Sequence, residues 1–285
     1  MGRRAALRHS GLCAAFFLSM YNSFFGISTY TLLVAVGIAA LFLTVVLIAL
    51  NRLRVPAGEV GNILFLMAAG LGIGYFFSAL FDAVFKIPEN SGFKWSGITF
   101  YGGLIGGLLG FVAGYLLLKK PLKLKTPLTT WLNLLALSIP LAHCLGRIGC
   151  FLGGCCYGRP TDGPFGVLFP QNSPAYFEYG PGVKVFPTQL FEAAALLVLF
   201  AVFLFVKNEK FNRNRIYIYL VSYAVLRFAL EFLRGDERGG LFVVLSPAQI
   251  LSIALALFVI VALTVKEARR RRGGGEGKKE LKIEN

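Results

Sequence analysis

The chain has 285 residues, of which 56% are hydrophobic and only 15% are charged, and its mean hydropathy is +0.68. Soluble domains carry about a quarter charged residues, so this composition excludes a disordered protein and argues against a soluble domain. The formal net charge of +15 would suggest nucleic acid as a partner of a soluble protein, but here the Lys and Arg residues stand at the ends of apolar runs. We therefore expect no nucleic-acid partner and a membrane lipid environment.

Apolar runs recur along the whole chain, and most of them approach or exceed the roughly 18 residues that cross a bilayer as a helix. This pattern predicts an all-α, polytopic membrane protein with about seven transmembrane helices. The predicted spans are residues 27–50, 58–81, 101–118, 129–151, 188–206, 216–233 and 247–265.

The basic residues between these spans predict the topology. About eighteen Lys and Arg residues fall on one side of the membrane and six on the other. Basic loops stay in the cytoplasm, so the C-terminus is predicted to be cytoplasmic and the N-terminus, by parity, outside.

The two ends of the chain are expected to lie outside the membrane domain, which covers residues 27–265. Residues 1–26 form a leader whose Arg3, Arg4 and Arg8 would prefer the cytoplasm. Because this conflicts with the parity of the spans, we hypothesise that translation starts at Met20. Residues 266–285 are basic and without apolar periodicity, and they are predicted to form a disordered tail near anionic headgroups.

Glycines recur every fourth residue in the second and third predicted spans. Small residues at this period let helix backbones approach closely in lipid, so we expect helix packing there. In a second interpretation, the first glycines of the third span leave room for a substrate headgroup. The glycines concerned are Gly70, Gly74, Gly102, Gly103, Gly106, Gly107, Gly110 and Gly114.

Charged residues within the apolar spans are the strongest functional signal, because a charge in lipid is costly unless it faces a partner or a wet cavity. Arg227, Glu231 and Arg234 share one helical stripe. Arg147 lies near the outer end of the fourth span, and Glu192 lies in the first turn of the fifth. One interpretation is an Arg–Glu pair that neutralises itself between helices. The excess of arginines over acids favours a second, a lipid phosphate held through parallel guanidinium hydrogen bonds.

Several motifs, in order along residues 27–265, resemble those of the prolipoprotein diacylglyceryl transferase family. GRIGCFLGGCCYG resembles the segment that begins Gly-Arg-x-Gly in the family, and PTQLFE resembles Pro-Ser/Thr-Gln-Leu-Tyr-Glu. RFALEFLR resembles Arg-x-x-x-Glu-Phe-x-Arg, and SPAQILS resembles the final-helix Ser-x-x-Gln-x-x-Ser. YGGLIGG resembles His-Gly-Gly-Leu-x-Gly, and STYTLL stands where the family has an early Trp-Tyr-Gly.

The resemblance implies a multi-pass enzyme of the bacterial plasma (inner) membrane that uses no cofactor or metal. Its reaction moves the diacylglyceryl group of phosphatidylglycerol to the lipobox cysteine thiol next to the signal peptide of a preprolipoprotein. By position, Arg147 would bind phosphatidylglycerol and Arg227 would be the second catalytic arginine. The other substrate-binding residues implied by position are Glu231, Arg234, Gln189, Glu192, Gly146, Gly149, Gly158 and Tyr30.

Two departures from the family concern proton chemistry. The family's histidine before Gly-Gly is Tyr101 here, and its histidine before the Pro-Thr-Gln segment is Phe186. A thiol must lose its proton to become a good nucleophile. Either Tyr101 acts with a pKa lowered by the arginines, or His143, one turn before Arg147, is the catalytic base, or the arginine field acts on the acceptor thiol unaided.

Cysteines are the third departure, because Cys150, Cys155 and Cys156 replace polar positions of the family motif. With Cys144 and His143 they place four thiols and an imidazole within fourteen residues. A disulfide, a zinc site and plain small-residue packing all remain open.

Two rival functions follow from these features. The first is a membrane thiol-disulfide oxidoreductase built on the three cysteines, and the second is a non-catalytic lipid-binding or transport paralogue that kept the arginines. The outer loop of residues 158–186 is long for a membrane connection. It either covers an entering peptide or is a passive surface loop.

Overall fold

The computed structural model describes residues 28–85, 100–235 and 245–283, and nearly all of its regular structure is helical. In chain order the elements are α1 (Thr29–Asn51), α2 (Ala57–Phe85), α3 (Phe100–Leu118), α4 (Leu128–Leu152), β1 (Val167–Leu168), α5 (Pro174–Tyr179), β2 (Lys184–Val185), α6 (Thr188–Phe205), α7 (Glu209–Asn212), α8 (Arg215–Glu231) and α9 (Pro247–Ile283).

The prediction of an all-α, polytopic membrane protein is confirmed. Within the described residues, α1, α2, α4, α6 and α9 are long and apolar enough to cross a bilayer. The apolar part of α3, Gly102–Leu118, is shorter, and α8 has 17 residues. Each predicted span therefore corresponds to one helix, although α3 and α8 fall below the length that identifies a span by composition alone.

Large apolar side chains cover the outer surfaces of these helices. Phe65 is 63% exposed, Leu117 77%, Val198 63% and Phe205 74%. A soluble protein rarely exposes contiguous apolar patches of this extent, and lipid is the solvent that makes them favourable. The chain is a multi-pass membrane protein.

The contacts divide the chain into two compact units, and the first is Phe42–Leu135. Here α2 and α3 pack through their glycines, as the fourfold spacing predicts. A Cβ added to Gly74 would lie 2.7 Å from the Gly103 carbonyl oxygen, and one added to Gly106 would lie 2.5 Å from the Phe77 Cβ. The two backbones therefore approach each other more closely than side chains would allow.

Polar groups at one end of this unit fix the connection that follows α3. The Glu59 carboxylate, in the first turn of α2, accepts a hydrogen bond from the Thr126 amide at 2.7 Å. Tyr115 donates its hydroxyl to the Thr126 carbonyl at 2.6 Å. These bonds satisfy backbone groups that would otherwise be unpaired between two helices.

The second unit is Met1–Leu41 together with Ala136–Asn285, and it contains the arginines, glutamates and cysteines of the site described below. Gly37 lets α1 approach α4, since a Cβ there would lie 2.8 Å from the Ala142 carbonyl oxygen. Helix α8 packs against both α6 and α9.

The connection between α4 and α6 is folded rather than irregular. Strands β1 and β2 pair antiparallel with Val167 opposite Val185, and Ser173 caps the short helix α5 through its hydroxyl. Tyr157 and Ala175 are buried with Val185 in a small apolar cluster. The loop is tied to the residues after α8, because Tyr179 donates its hydroxyl to the Gly235 carbonyl at 2.8 Å.

Helix α9 continues to Ile283, through the segment that the sequence predicts to be a disordered basic tail. Lys, Arg and Glu are good helix formers, which is the physical reason that a helix can extend beyond residue 265. The predicted leader and its proposed start at Met20 lie outside the described residues.

Candidate active site

A buried carboxylate at the start of α6 is the centre of the polar site. Arg147 places Nη2 3.0 Å from Glu192 Oε1, and the Glu192 side chain is 3% exposed. Tyr223 donates its hydroxyl to the same oxygen at 3.3 Å. The His143 Nε2 lies 3.5 Å from it. One carboxylate oxygen thus faces a guanidinium, a phenol and an imidazole from α4 and α8.

A second ion pair lies within α8. Arg227 Nη2 is 2.7 Å from Glu231 Oε2, and the two side chains are 4% and 10% exposed. The four-residue spacing of the sequence thus produces a direct contact. The other terminal nitrogen of Arg227, Nη1, is buried and has no hydrogen-bond partner within the described residues.

These contacts change the balance of charges inferred from the sequence. The sequence favours arginines in excess of acids, whereas Arg147 and Arg227 each contact their own glutamate. An Arg–Glu pair between helices is therefore present as Arg147 with Glu192, and a second pair lies within α8. Each contact involves one terminal nitrogen of a guanidinium that carries five N–H donors, so pairing does not exhaust either arginine.

Aromatic side chains surround Glu192, and the sequence reading missed them. Tyr219 stacks on Tyr223 with ring centroids 6.1 Å apart, and the Tyr223 ring lies 5.2 Å from that of His143. Tyr219, Tyr223, Arg227 and Glu231 follow one another at intervals of four residues in α8. This repeat was the signal that could have identified both tyrosines.

Gln189 and Thr188 hold the residues after α4 in place. Gln189 donates from Nε2 to the Cys155 carbonyl at 2.6 Å, and Thr188 donates from Oγ1 to the Cys156 carbonyl at 2.9 Å. The Gln189 Oε1 is buried and has no hydrogen-bond partner within the described residues. The predicted substrate-binding Gln189 therefore has an observed structural contact at its amide nitrogen.

Three predicted glycines occupy different surroundings. A Cβ at Gly158 would lie 2.6 Å from both the Leu233 carbonyl oxygen and the Phe186 Cβ, so close packing requires glycine there. At Gly149 a Cβ would come within 3.4 Å of Tyr30 Cδ2, while Gly146 has nothing within 4 Å. Packing therefore accounts for glycine at 158 and 149 but not at 146.

Arg234 lies next to this packing, since its backbone forms a β-bridge with Gly158. The Arg159 amide donates to the Leu233 carbonyl at 2.8 Å. Arg234 is thus positioned by the loop rather than by helix α8 alone.

Tyr101 lies in the first turn of α3, and its side chain is outside the described part of the chain.

Three of the predicted cysteines converge. The sulfur atoms of Cys150, Cys155 and Cys156 all lie within 4.8 Å of one another, and each residue is half-buried. Cys144 is buried and does not belong to this group. All four are present as thiols rather than disulfides.

The loop cysteines differ in their thiol chemistry. Hydrogen bonds with Cys150 and Cys155 lower the pKa of the Cys156 thiol, and the charges of Arg234 and Arg147 act in the same direction. Hydrogen bonds with Cys150 and Cys156 raise the pKa of the Cys155 thiol. Negative charge in the cluster is therefore stabilised on Cys156 by the site's arginines.

Comparison with known proteins identifies the family. The family model described as "Prolipoprotein diacylglyceryl transferase" matches residues 17–265. A phosphatidylglycerol–prolipoprotein diacylglyceryl transferase 2 of Clostridium perfringens is 33% identical over 64% of this chain and 67% of its own length. A phosphatidylglycerol–prolipoprotein diacylglyceryl transferase of Clostridium tetani is 34% identical over 62% of this chain and 67% of its own length. One of Campylobacter jejuni is 36% identical over 57% of this chain and 58% of its own length. The chain belongs to the prolipoprotein diacylglyceryl transferase family.

Proposed function

We propose that this chain transfers the diacylglyceryl group of phosphatidylglycerol to the thiol of a cysteine in prolipoproteins. The names of the relatives support both substrates, and the lipobox cysteine beside the signal peptide is the acceptor that the family motifs imply. The enzyme would act in the bacterial plasma membrane, with the C-terminus in the cytoplasm. The uneven distribution of Lys and Arg between the loops supports this orientation.

The observation that carries the proposal is the state of Arg227. Its Nη2 holds Glu231 at 2.7 Å, while its buried Nη1 has no hydrogen-bond partner within the described residues. A buried donor without a partner costs free energy, and a phosphate oxygen is a strong acceptor for a guanidinium. Arg227 can therefore take a lipid phosphate without giving up its glutamate.

Arg147 supplies the second guanidinium of the site. Its contact with Glu192 orients the side chain and balances the charge of the unliganded site. In the reaction, the acceptor thiol gives up its proton to a base or to water, and its sulfur forms a bond to the glycerol carbon. The bond from that carbon to the phosphate oxygen breaks, and its electron pair leaves with the glycerol phosphate. Negative charge grows on the departing glycerol phosphate, so guanidiniums fixed beside it stabilise the transition state more than the ground state.

The remaining predicted residues are assigned by their surroundings. Gly146 has open space around its Cα and stands next to Arg147, which supports a role in admitting substrate. Glu192, Glu231 and Gln189 would orient the arginines and the cysteine turn rather than contact lipid first. Tyr101 and His143 are the alternative side-chain bases for the acceptor thiol, and Tyr30 is proposed as a substrate contact.

The test is the rate of glycerol phosphate release from phosphatidylglycerol in the presence of a lipobox peptide. Arg227→Ala should lower this rate by roughly 10²–10³-fold, the range found when one fixed donor to a developing anion is removed. Arg147→Ala should do the same.

The matched control is Arg215→Gln, which removes a guanidinium from the same helix as Arg227. Arg215 bonds the Phe203 carbonyl at 2.9 Å and the Asn212 side chain at 2.7 Å, away from the site. This variant should retain most of the activity. Equal rates for folded Arg227→Ala and Arg215→Gln proteins would contradict the proposed role of Arg227.

A further inference from the structure

Three thiols from separate parts of one turn converge without forming a disulfide. Cys150 is in the last turns of α4, whereas Cys155 and Cys156 follow that helix, and the three sulfur atoms lie within 4.8 Å of one another. The turn brings Cys156 back with a positive φ of 64°, which is costly for a residue with a side chain. This backbone conformation brings the Cys156 sulfur atom close to those of Cys150 and Cys155.

The neighbouring helix fixes this turn through its backbone. Gln189 and Thr188, at the start of α6, donate hydrogen bonds to the carbonyls of Cys155 and Cys156 at 2.6 and 2.9 Å. These bonds hold the backbone of the turn, and within it the Cys155 thiol donates to the Cys150 carbonyl oxygen at 3.7 Å. Such outer contacts are what hold metal ligands in place in proteins.

The spacing of the sulfur atoms is compatible with a shared metal ion. Bonds of about 2.3 Å to zinc place the sulfurs of a tetrahedral site roughly 3.8 Å apart, which a small movement of these side chains would reach. A disulfide would use two thiols and leave the third. Thiolate ligands select soft ions such as Zn²⁺.

We propose that Cys150, Cys155 and Cys156 bind one zinc-class ion as thiolates and that the acceptor thiol of the prolipoprotein occupies its fourth position. Within the described residues, no fourth Cys, His, Asp or Glu joins the group, so the protein leaves one tetrahedral position to another ligand. All three cysteines are half-buried rather than fully enclosed. The second part of the proposal rests on the proposed function.

The proposed ion would supply the step for which the chain lacks two motif histidines. When the acceptor thiol binds, its S–H bond breaks, a metal–sulfur bond forms and the proton passes to water. The bound sulfur then forms the S–C bond as the carbon–oxygen bond to phosphate breaks, and that electron pair leaves with glycerol phosphate. A metal deprotonates a coordinating thiol outright, so no histidine base is required. Cys150 stands one helical turn after Arg147, which places acceptor and phosphate sites side by side.

The first test is the metal content of the full-length chain, purified in detergent without chelators and measured by mass spectrometry. We expect about one zinc per chain, as for other single three-ligand sites. Cys150→Ser and Cys156→Ser should each lose most of it. Cys144→Ser, which changes a buried thiol of the same helix outside the cluster, should keep it. Wild-type protein that contains no metal after zinc is supplied, with the three cysteines either free or in a disulfide, would overturn the proposal.

The second test replaces zinc with Co²⁺ and follows its visible absorption. A lipobox peptide should change the sulfur-to-cobalt bands, and the same peptide with Ser in place of Cys should not. Equal spectra with both peptides would overturn the role of the acceptor thiol. Neither the metal content nor the cobalt spectrum depends on lipid transfer. A metal-loaded chain that binds the thiol but transfers no lipid would therefore count against the proposed function alone. A metal-free chain that transfers at full rate would overturn only the metal site.

Discussion

At the scale of single residues, Glu192 holds a guanidinium, an imidazole and a phenol together in an apolar surrounding. Its Oε1 lies 3.0 Å from Arg147 and 3.5 Å from His143, and it also accepts from Tyr223. A buried guanidinium without a counter-charge is strongly destabilising. Glu192 is therefore first the counter-ion of Arg147.

We predict that Glu192→Gln lowers stability as well as activity. The amide keeps the shape of the side chain but removes its charge, so Arg147 stays buried without compensation, at a cost of about 3–5 kcal/mol. Thermal unfolding in detergent measures the effect. Glu178→Gln, at an exposed position of α5, is the control and should unfold with the wild type. Identical unfolding of the two variants would show that Glu192 is not the counter-ion.

Local patterns place Arg227 and Glu231 on one helical stripe, but they do not identify the partner of Arg147. Arg227 and Glu231 are four residues apart in one helix, so their contact could be derived from helical geometry. Glu192 and Arg147 stand 45 residues apart, and only the packing of α6 beside α4 brings them together. No periodicity in the sequence encodes such a contact.

At the scale of elements, the glycine faces of α2 and α3 show how strongly sequence spacing can predict packing in lipid. Gly70, Gly74, Gly103 and Gly107 lie at close backbone contacts, as the fourfold repeat predicts. The turn after α4 shows the opposite case. It depends on the positive φ of Gly154 and Cys156 and on hydrogen bonds from α6, so the convergence of the cysteines could not be read from their order.

We predict that Gly74→Ala destabilises the chain by about 1–3 kcal/mol, because the added methyl group overpacks a rigid backbone contact. Its Cβ would lie 2.7 Å from the Gly103 carbonyl oxygen. Gly72→Ala is the matched control two residues away, where nothing lies within 4 Å. Unfolding in detergent at rising temperature separates the two variants. A Gly74→Ala protein as stable as Gly72→Ala would mean that the helices do not touch there.

At the scale of the whole molecule, the exposed apolar surface and the basic loops both indicate that the protein lies in a lipid bilayer. Side chains such as Leu117 and Phe205 are more than 70% exposed, and lipid must cover them. The number of spans could be predicted because apolar runs report on the bilayer directly. The length of α8 is harder to predict from apolar composition, because its 17 residues include the buried, charged Arg227.

We predict that a reporter fused after the last residue is active in the cytoplasm. The loops on that side carry about eighteen Lys and Arg residues against six on the other, and this bias sets orientation. An alkaline phosphatase fusion, which works only outside the plasma membrane, should be inactive, and a fluorescent protein fusion should be bright. An active phosphatase would reverse the assigned topology.

The most direct measurement of the central claim is the mass of a lipobox peptide after incubation with purified chain and phosphatidylglycerol. We expect the peptide to gain one diacylglyceryl group on its cysteine, with no gain for a peptide that carries Ser there. Arg147→Ala should abolish the gain. A folded preparation that leaves the cysteine peptide unmodified would contradict the proposed transferase activity.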